Sequence, residues 1–358
     1  MKLNRIIVTI ILSIVSLILI GSINTHAEVK NSVGKQGNEQ ILIRDVTIQH
    51  PVWCGNNTVA VIDKKGNIQI INISNSKKKT IRNPQHIVFV EACTADGEWI
   101  IYSNKKSVRP DKGINHGGVT DFWRYNLKTG ERQKFAIAED GGRVKISPDG
   151  KKVLFTGCKP RSFMEQPPPK WNLVWSKEEW KSGRFGEARW LNDSSNIVIR
   201  SSMSKLFIEN IDAKTMRELD VNLGSLNYLK MDNSNRIYFL ASDQASGRLD
   251  PNKLFRCSLK DEKIKCANLM PDKRIQKYDI SPDGKTIVFV EYGKSWETNT
   301  CVWLYKEGSS VKCISPSGNV NSILSISPDV KYVVYTNYRK LSDGSYTNDL
   351  FVIKLTHD

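Results

Sequence analysis

The sequence predicts an all-β chain: a seven-bladed β-propeller of four-stranded antiparallel blades, closed by an N-terminal strand that completes the last blade. Three observations predict it. The first is the stretch Ile280-Ser281-Pro282-Asp283-Gly284-Lys285-Thr286-Ile287-Val288-Phe289-Val290. Pro282 presets φ for the second position of a tight turn, and Asp283 and Gly284 suit the positions after it. The run 287–290 is apolar on both sides, as in a strand covered on both faces. The second observation is recurrence. The same unit stands at Ile146-Ser147-Pro148-Asp149-Gly150 ahead of Val153, Leu154 and Phe155. It stands again at Ile326-Ser327-Pro328-Asp329 ahead of Tyr332, Val333, Val334 and Tyr335. Equivalent turns fall near residues 55, 95, 148, 193, 233, 282 and 328, a spacing that fits propeller blades. The third is an imbalance at the ends. The seventh unit stops after its third strand, while residues 40–43 form an orphan strand ahead of the first unit. Pairing the two leaves no long edge open.

In chain order, residues 40–43 (Gln-Ile-Leu-Ile) read as the orphan strand and 46–53 as the next. Asn56-Asn57 is a turn, 59–62 a strand, Lys65-Gly66-Asn67 a turn, and 68–73 a strand. The second unit runs through 88–91, the turn Thr94-Ala95-Asp96-Gly97, 99–102 and 121–127, then a hairpin at Lys128-Thr129-Gly130 onto 132–137. The third carries the turn at 147–150, a proline-rich insertion through Pro167-Pro168-Pro169, and a strand at 171–175. The fourth turns at 192–195 with strands at 197–199 and 206–211. The fifth turns at 232–235 with strands at 237–240 and 254–259. The sixth adds 302–305 to the opening stretch, and the seventh joins 327–335 to 350–355.

Residues 1–27 differ from the rest. Lys2 and Arg5 precede an apolar run at 6–20, and a small, polar segment ends Thr25-His26-Ala27. This is the pattern of a secretory signal cleaved after Ala27. The run is short for a membrane span, and no later stretch is apolar enough for one. Residues 28–38 read as a flexible lead-in and 39–358 as a single propeller domain. The formal net charge is +16, and +14 once Lys2 and Arg5 leave with the signal. Turn lysines such as Lys77, Lys78 and Lys79 account for much of the excess and keep the chain soluble. Exported to the periplasm or beyond, a basic protein meets acidic proteins and anionic envelope ligands. Nucleic acid fits poorly with export.

Export permits disulfides among the seven cysteines. Cys257 and Cys266 flank a hairpin, as do Cys301 and Cys313, so each pair faces across adjacent strands within disulfide reach. Cys54 and Cys93 hold nearly equivalent positions in neighbouring blades and form a third candidate pair. Cys158 is left over, either buried or paired with another chain.

The repeat Ser-Pro-Asp-Gly-Lys-x-Ile/Val-x-Phe, with Leu/Trp-x-Tyr-x-Leu and Thr-Gly downstream, resembles that of TolB-like propellers, an exported class related to WD repeats. The matching stretches are 147–155, 281–290, 327–335 and 121–130, and the resemblance covers about residues 40–358. It implies the propeller fold and leaves the function open, because such folds host many functions.

Function must then be sought in sites. No G-x-S-x-G, H-E-x-x-H or G-x-x-x-x-G-K-[ST] motif occurs. His50 and His86 both precede inner strands and could reach the axis as metal ligands, as in pectin-fragment lyases of similar fold. The simpler reading is two unrelated histidines, with no metal and no cofactor. Asp96, Asp149, Asp283 and Asp329 read as turn-formers rather than calcium ligands. The long insertions at 104–120, 159–170, 242–252, 292–299 and 337–348 all join second to third strands, so they emerge on one face. Their Arg109, His116, Arg161, Phe163, Arg248, Tyr292, Trp296, Arg339 and Tyr346 are the types that anchor interfaces. The leading expectation is a non-catalytic scaffold that binds a protein or an anionic envelope ligand through this face. The alternative is a polysaccharide lyase or hydrolase with an axial site.

Overall fold

The computed structural model describes residues 35–355, apart from 37–38, 48, 83–88, 107–118, 140–141, 157–159, 165–169, 176–186, 201–204, 222, 243–252, 261–262, 293–300 and 316–319. The expected signal segment, residues 1–27, and Cys158 lie outside the described residues. Seven sheets make the seven blades. Their inner strands are Val52–Trp53, Phe89–Cys93, Arg143–Ile146, Glu187–Trp190, Gly224–Met231, Ile275–Ile280 and Val320–Ile326. Blades 1, 4, 5 and 6 are four-stranded antiparallel sheets whose neighbours follow chain order.

One backbone bond recurs in all seven blades. The residue that opens the turn after the inner strand donates its N–H to a carbonyl four or five residues on. The donors are Cys54, Thr94, Ser147, Leu191, Asp232, Ser281 and Ser327, at 2.8–3.2 Å. Where the full motif is present, side chains lock the turn. Ser281 Oγ donates to Asp283 Oδ1 (2.5 Å) and accepts from Thr286 N (2.9 Å), while Lys285 N donates to Asp283 Oδ1 (3.0 Å). Ser147 with Asp149, Ser327 with Asp329 and Thr94 with Asp96 repeat the arrangement. The aspartates serve their own turns, as the sequence implies.

The core lies between blades. Seven apolar clusters each span one pair of adjacent blades, the last joining blade 7 to blade 1. Period-two alternation divides each second strand between two clusters. Ile287 and Phe289 pack toward blade 5, whereas Val288 and Val290 pack toward blade 7. The both-sided apolar run is therefore the signature of a sheet held between two others.

The orphan strand closes the ring. Glu39–Val46 pairs antiparallel with Tyr346–Lys354, with Gln40 opposite Val352 and Ile43 opposite Leu350. Leu42 and Val46 enter the cluster between blades 7 and 1. Lys35–Gln36 pairs back on this strand. A polar clasp secures the seam: Arg339 Nε binds Asp349 Oδ2 (2.8 Å), Arg339 Nη2 binds Asp45 Oδ1 (3.0 Å), and Asp45 N donates to Asp349 Oδ1 (3.1 Å).

Three local expectations are corrected. Residues 46–53 are not one strand: Val46 ends the closing strand, and only Val52–Trp53 pairs within blade 1. The 337–348 stretch is not an open insertion. Tyr332–Lys340 and Tyr346–Lys354 pair through Tyr338–Asn348, Arg339–Thr347 and Lys340–Tyr346, around a tight turn with Gly344 at φ +83°. Blade 3 departs from the antiparallel pattern. Within its insertion, Pro160–Phe163 leaves to pair with Arg132–Glu139 on the outer edge of blade 2. That extra pass reverses the chain once more, so Asn172–Trp175 runs parallel to Lys152–Thr156. Among the described residues blade 3 has three strands.

All three candidate cysteine pairs are disulfides. Cys257 and Cys266 are directly opposed, Cys301–Cys313 spans the equivalent hairpin of blade 6, and Cys54–Cys93 ties blade 1 to blade 2.

Two turn glycines separate conformational strain from steric conflict. Gly150 (φ +71°) has open space where a Cβ would stand, whereas a Cβ on Gly284 (φ +67°) would collide with Asp232, Tyr238 and Arg236 of the neighbouring blade. Gly150→Ala is expected to cost about 1 kcal/mol. Gly284→Ala is expected to cost more than about 2 kcal/mol, read as the difference in denaturant midpoint between the two variants.

Candidate functional site

The inner strands carry an unusual charge pattern. Counted back from the residue that opens each turn, positions four and two earlier hold Arg143 and Lys145, Glu187 and Arg189, Tyr228 and Lys230, and Lys277 and Asp279. In blade 1 the four-back position is His50. Alternation puts Ala188 and Trp190 into the packed interface and leaves Glu187 and Arg189 on the other side. The result is a pit on the ring axis of about 280 Å³, lined by inner-strand residues of all seven blades.

The acids at the pit are engaged: they come from alternate blades, and each ties its blade to the next. Glu91 of blade 2 accepts from Ser103 Oγ (2.7 Å), from Arg143 Nε (2.8 Å) and from Val144 N of blade 3 (3.4 Å). Glu187 of blade 4 accepts from Leu229 N of blade 5 (2.9 Å) and pairs with Arg189. Asp279 of blade 6 accepts from Ile326 N (2.9 Å) and Ser325 Oγ (3.0 Å) of blade 7 and pairs with Lys230 Nζ (2.9 Å). Burial opposes ionisation of Glu187, yet Arg189, the Leu229 N–H, Arg200 and Lys230 hold its carboxyl below the ordinary range.

The cations are in excess. Arg143, Arg189 and Lys230 have carboxylate partners. Among the described residues, Lys145 and Lys277 have no carboxylate within 4 Å. Burial, then Arg189 and Arg143, bring Lys145 down to about 7 against the weaker pull of Glu91. Burial brings Lys277 down to about 8, with Glu187 opposing and Lys230 assisting. Its ammonium sits 3.5 Å from the Tyr228 ring centroid. Tyr228 occupies a bulge at φ +56°, and Tyr278 Oη donates to its carbonyl (2.5 Å). His50 lines the pit while keeping part of its surface open to solvent. Burial and the ammonium groups of Lys230, Lys277 and Lys145 push it down to about 3, so it is neutral at working pH.

His50 thus reaches the axis as the sequence allows, but into surroundings that repel a metal cation. His86 lies outside the described residues. No group of three His, Cys, Asp or Glu able to hold a metal occurs among the described residues. The predicted face is only partly described. Arg109, His116, Arg248 and Trp296 fall outside it, and Arg161 is on the Pro160–Phe163 strand. Phe163 (43 % exposed), Tyr292 (44 %) and Tyr346 (42 %) do present large apolar surface. Arg339 is spent on the closure clasp. The axial lysines were missed from sequence. Their signal was the recurrence of charge two residues before the turns of blades 3 to 6, and four residues before those of blades 3, 4 and 6.

No family model matches this sequence, and no curated protein sequence does. Solved structures do match. The β-propeller domain of the Trilobed protease from Pyrococcus furiosus, an open velcro propeller, is 16% identical with a TM-score of 0.57, covering 87% of this chain and 95% of that one. The β-propeller domain of Myceliophteria thermophila Cps50 (Swd1) is 9% identical with a TM-score of 0.57, covering 91% and 100%. TolB from Acinetobacter baumannii is 15% identical with a TM-score of 0.43, covering 81% of this chain and 59% of its own. At these identities the likeness to the first two establishes the fold and nothing further.

Lys145 gives the pit a pH signature. Its folded value of about 7 lies below the ordinary 10.5. Between those values the unfolded chain holds a proton that the folded chain lacks, so its contribution to stability rises with pH and is lost as pH falls through 7. Lys145→Gln is therefore expected to melt several degrees above the parent at pH 6, with the gain shrinking toward pH 10 in thermal denaturation.

Proposed function

We propose that the protein is an exported, non-catalytic binding scaffold, and that the basic pit on its axis takes the anionic part of an acidic protein or envelope ligand. One observation carries the reading. Five cations, Arg143, Lys145, Arg189, Lys230 and Lys277, line the pit with two carboxylates, Glu91 and Glu187, and a third carboxylate, Asp279, joins them through its ion pair with Lys230. Every one of those carboxylates is already bound to a backbone N–H of the next blade. Among the described residues, Lys145 and Lys277 thus line a confined site with no carboxylate within 4 Å, Lys277 resting against the Tyr228 ring, and their charged forms are costly there unless an anion arrives. Carboxylates so committed are poor general bases, which favours binding over catalysis.

Export is supported by the N-terminal pattern of Lys2, Arg5 and the apolar run, together with three disulfides. No helix among the described residues is long and apolar enough to cross a membrane. The exposed Phe163, Tyr292 and Tyr346 would supply apolar contact to a larger ligand on the loop-rich face.

A fluorescent hexaglutamate peptide tests the reading by anisotropy. The parent protein is expected to bind it, a hexaglutamine control is not, and Lys145→Gln/Lys277→Gln should weaken binding at least tenfold. Equal binding by parent and double variant would remove the pit from the function.

A further inference from the structure

The charge balance of the pit specifies the ligand more narrowly. We infer that it holds one dianionic oxyanion, a sulfate or phosphate group, between Lys145 and Lys277. This rests on the pit being the binding site. With Asp279 counted through its ion pair with Lys230, the cations of the pit outnumber its carboxylates by two among the described residues. A dianion matches it, whereas a monoanion leaves one buried lysine uncompensated.

The surrounding groups cannot supply that charge from within. Glu91 faces Lys145 but is held by Ser103, Arg143 and Val144 N. Glu187 faces Lys277 but is held by Leu229 N and Arg189. Asp279 is held by Lys230 and blade 7. Swinging any of them toward a lysine would break a tie between blades. The remaining neighbours are cationic or neutral: Arg143, Arg189 and Lys230 add positive charge, and His50 stays uncharged.

Size and posture agree. A cavity of about 280 Å³ is at the small end for ligand sites, with room for a tetrahedral group and its water, or for the anionic end of a larger molecule. The left-handed backbone of Tyr228, fixed by Tyr278, sets an aromatic face against the Lys277 ammonium. Strain of this kind persists where the surroundings enforce it, commonly at binding sites.

Binding is also coupled to protons. An anion between the two lysines favours their charged forms, so binding near pH 8 takes up protons, as their lowered values require. Sulfate remains a dianion across this range, so any pH dependence belongs to the protein.

Isothermal titration of the purified protein with sodium sulfate, against sodium chloride at matched ionic strength, tests the inference. The expected result is one sulfate per chain, at least tenfold weaker in Lys145→Gln/Lys277→Gln. Heats measured at pH 8 in buffers of different ionisation enthalpy should report proton uptake. Lys145→Arg keeps its charge at every pH and should retain sulfate with reduced proton uptake, so a folding defect in the double variant does not leave the question open. Glycerol 1-phosphate against inorganic phosphate separates the sources. Binding of both at similar strength assigns the group to the end of a larger molecule, while binding of inorganic phosphate alone assigns a free ion, and either result upholds the oxyanion. Sulfate bound no better than chloride, or equally by parent and double variant, overturns it. If hexaglutamate binds through the lysines and sulfate does not, only the dianion fails. If neither binds, the scaffold reading fails with it.

Discussion

A ring of sheets closes only if every sheet is apolar on both faces. This single requirement shapes the molecule. Each second strand must serve two cores at once, which is why Ile287 and Phe289 look one way and Val288 and Val290 the other. No blade is independently stable in this arrangement, because half of its apolar surface belongs to a neighbour. The seam between first and last blades must then be as apolar as the other six. Leu42 and Val46, brought from the N-terminus, make it so, and the Arg339–Asp45–Asp349 clasp holds the register.

The same closure forces the inner strands together at the axis. Side chains that would face solvent in an open sheet there face one another in a confined space. The three carboxylates use that proximity as structure, each accepting a backbone N–H from the following blade. Their occupation decides the electrostatics of the pit. With the acids committed to holding blades in place, the lysines on the neighbouring strands keep a field that attracts anions and repels metal cations. A site whose acids are structural and whose cations set its electrostatics follows from this geometry. Fold likeness alone, spread over proteins as different as a protease domain and Cps50, selects none of these roles.

Blades 2 and 3 show how far the ring tolerates irregularity. Pro160–Phe163 lies on blade 2 although its chain neighbours belong to blade 3. The outer edge of a blade is the place for such a change, since only the inner strands and the inter-blade clusters maintain closure. Phe122, Phe135, Phe155 and Trp171 still pack as one aromatic group across that boundary.

The turn chemistry was legible because it is local: Ser, Pro, Asp and Gly within four residues determine their own hydrogen bonds whatever surrounds them. The both-sided strands and the two hairpin disulfides followed from local alternation, whereas blade number and the closing pairing followed from the repeat and from the strand its last unit lacks. The parallel strand in blade 3 did not, since nothing near Asn172 records that an earlier segment has left for another sheet. Nor did the strand pairing of Arg339 and Tyr346, where polar residues look like a loop until a facing strand is present. The axial pit was the least legible of all. Its lysines and carboxylates come from blades far apart in sequence, and each alone reads as a solvated charge on a short strand. Only the closed ring brings them within reach of one another, because Coulomb interactions and burial depend on distance in space and not along the chain.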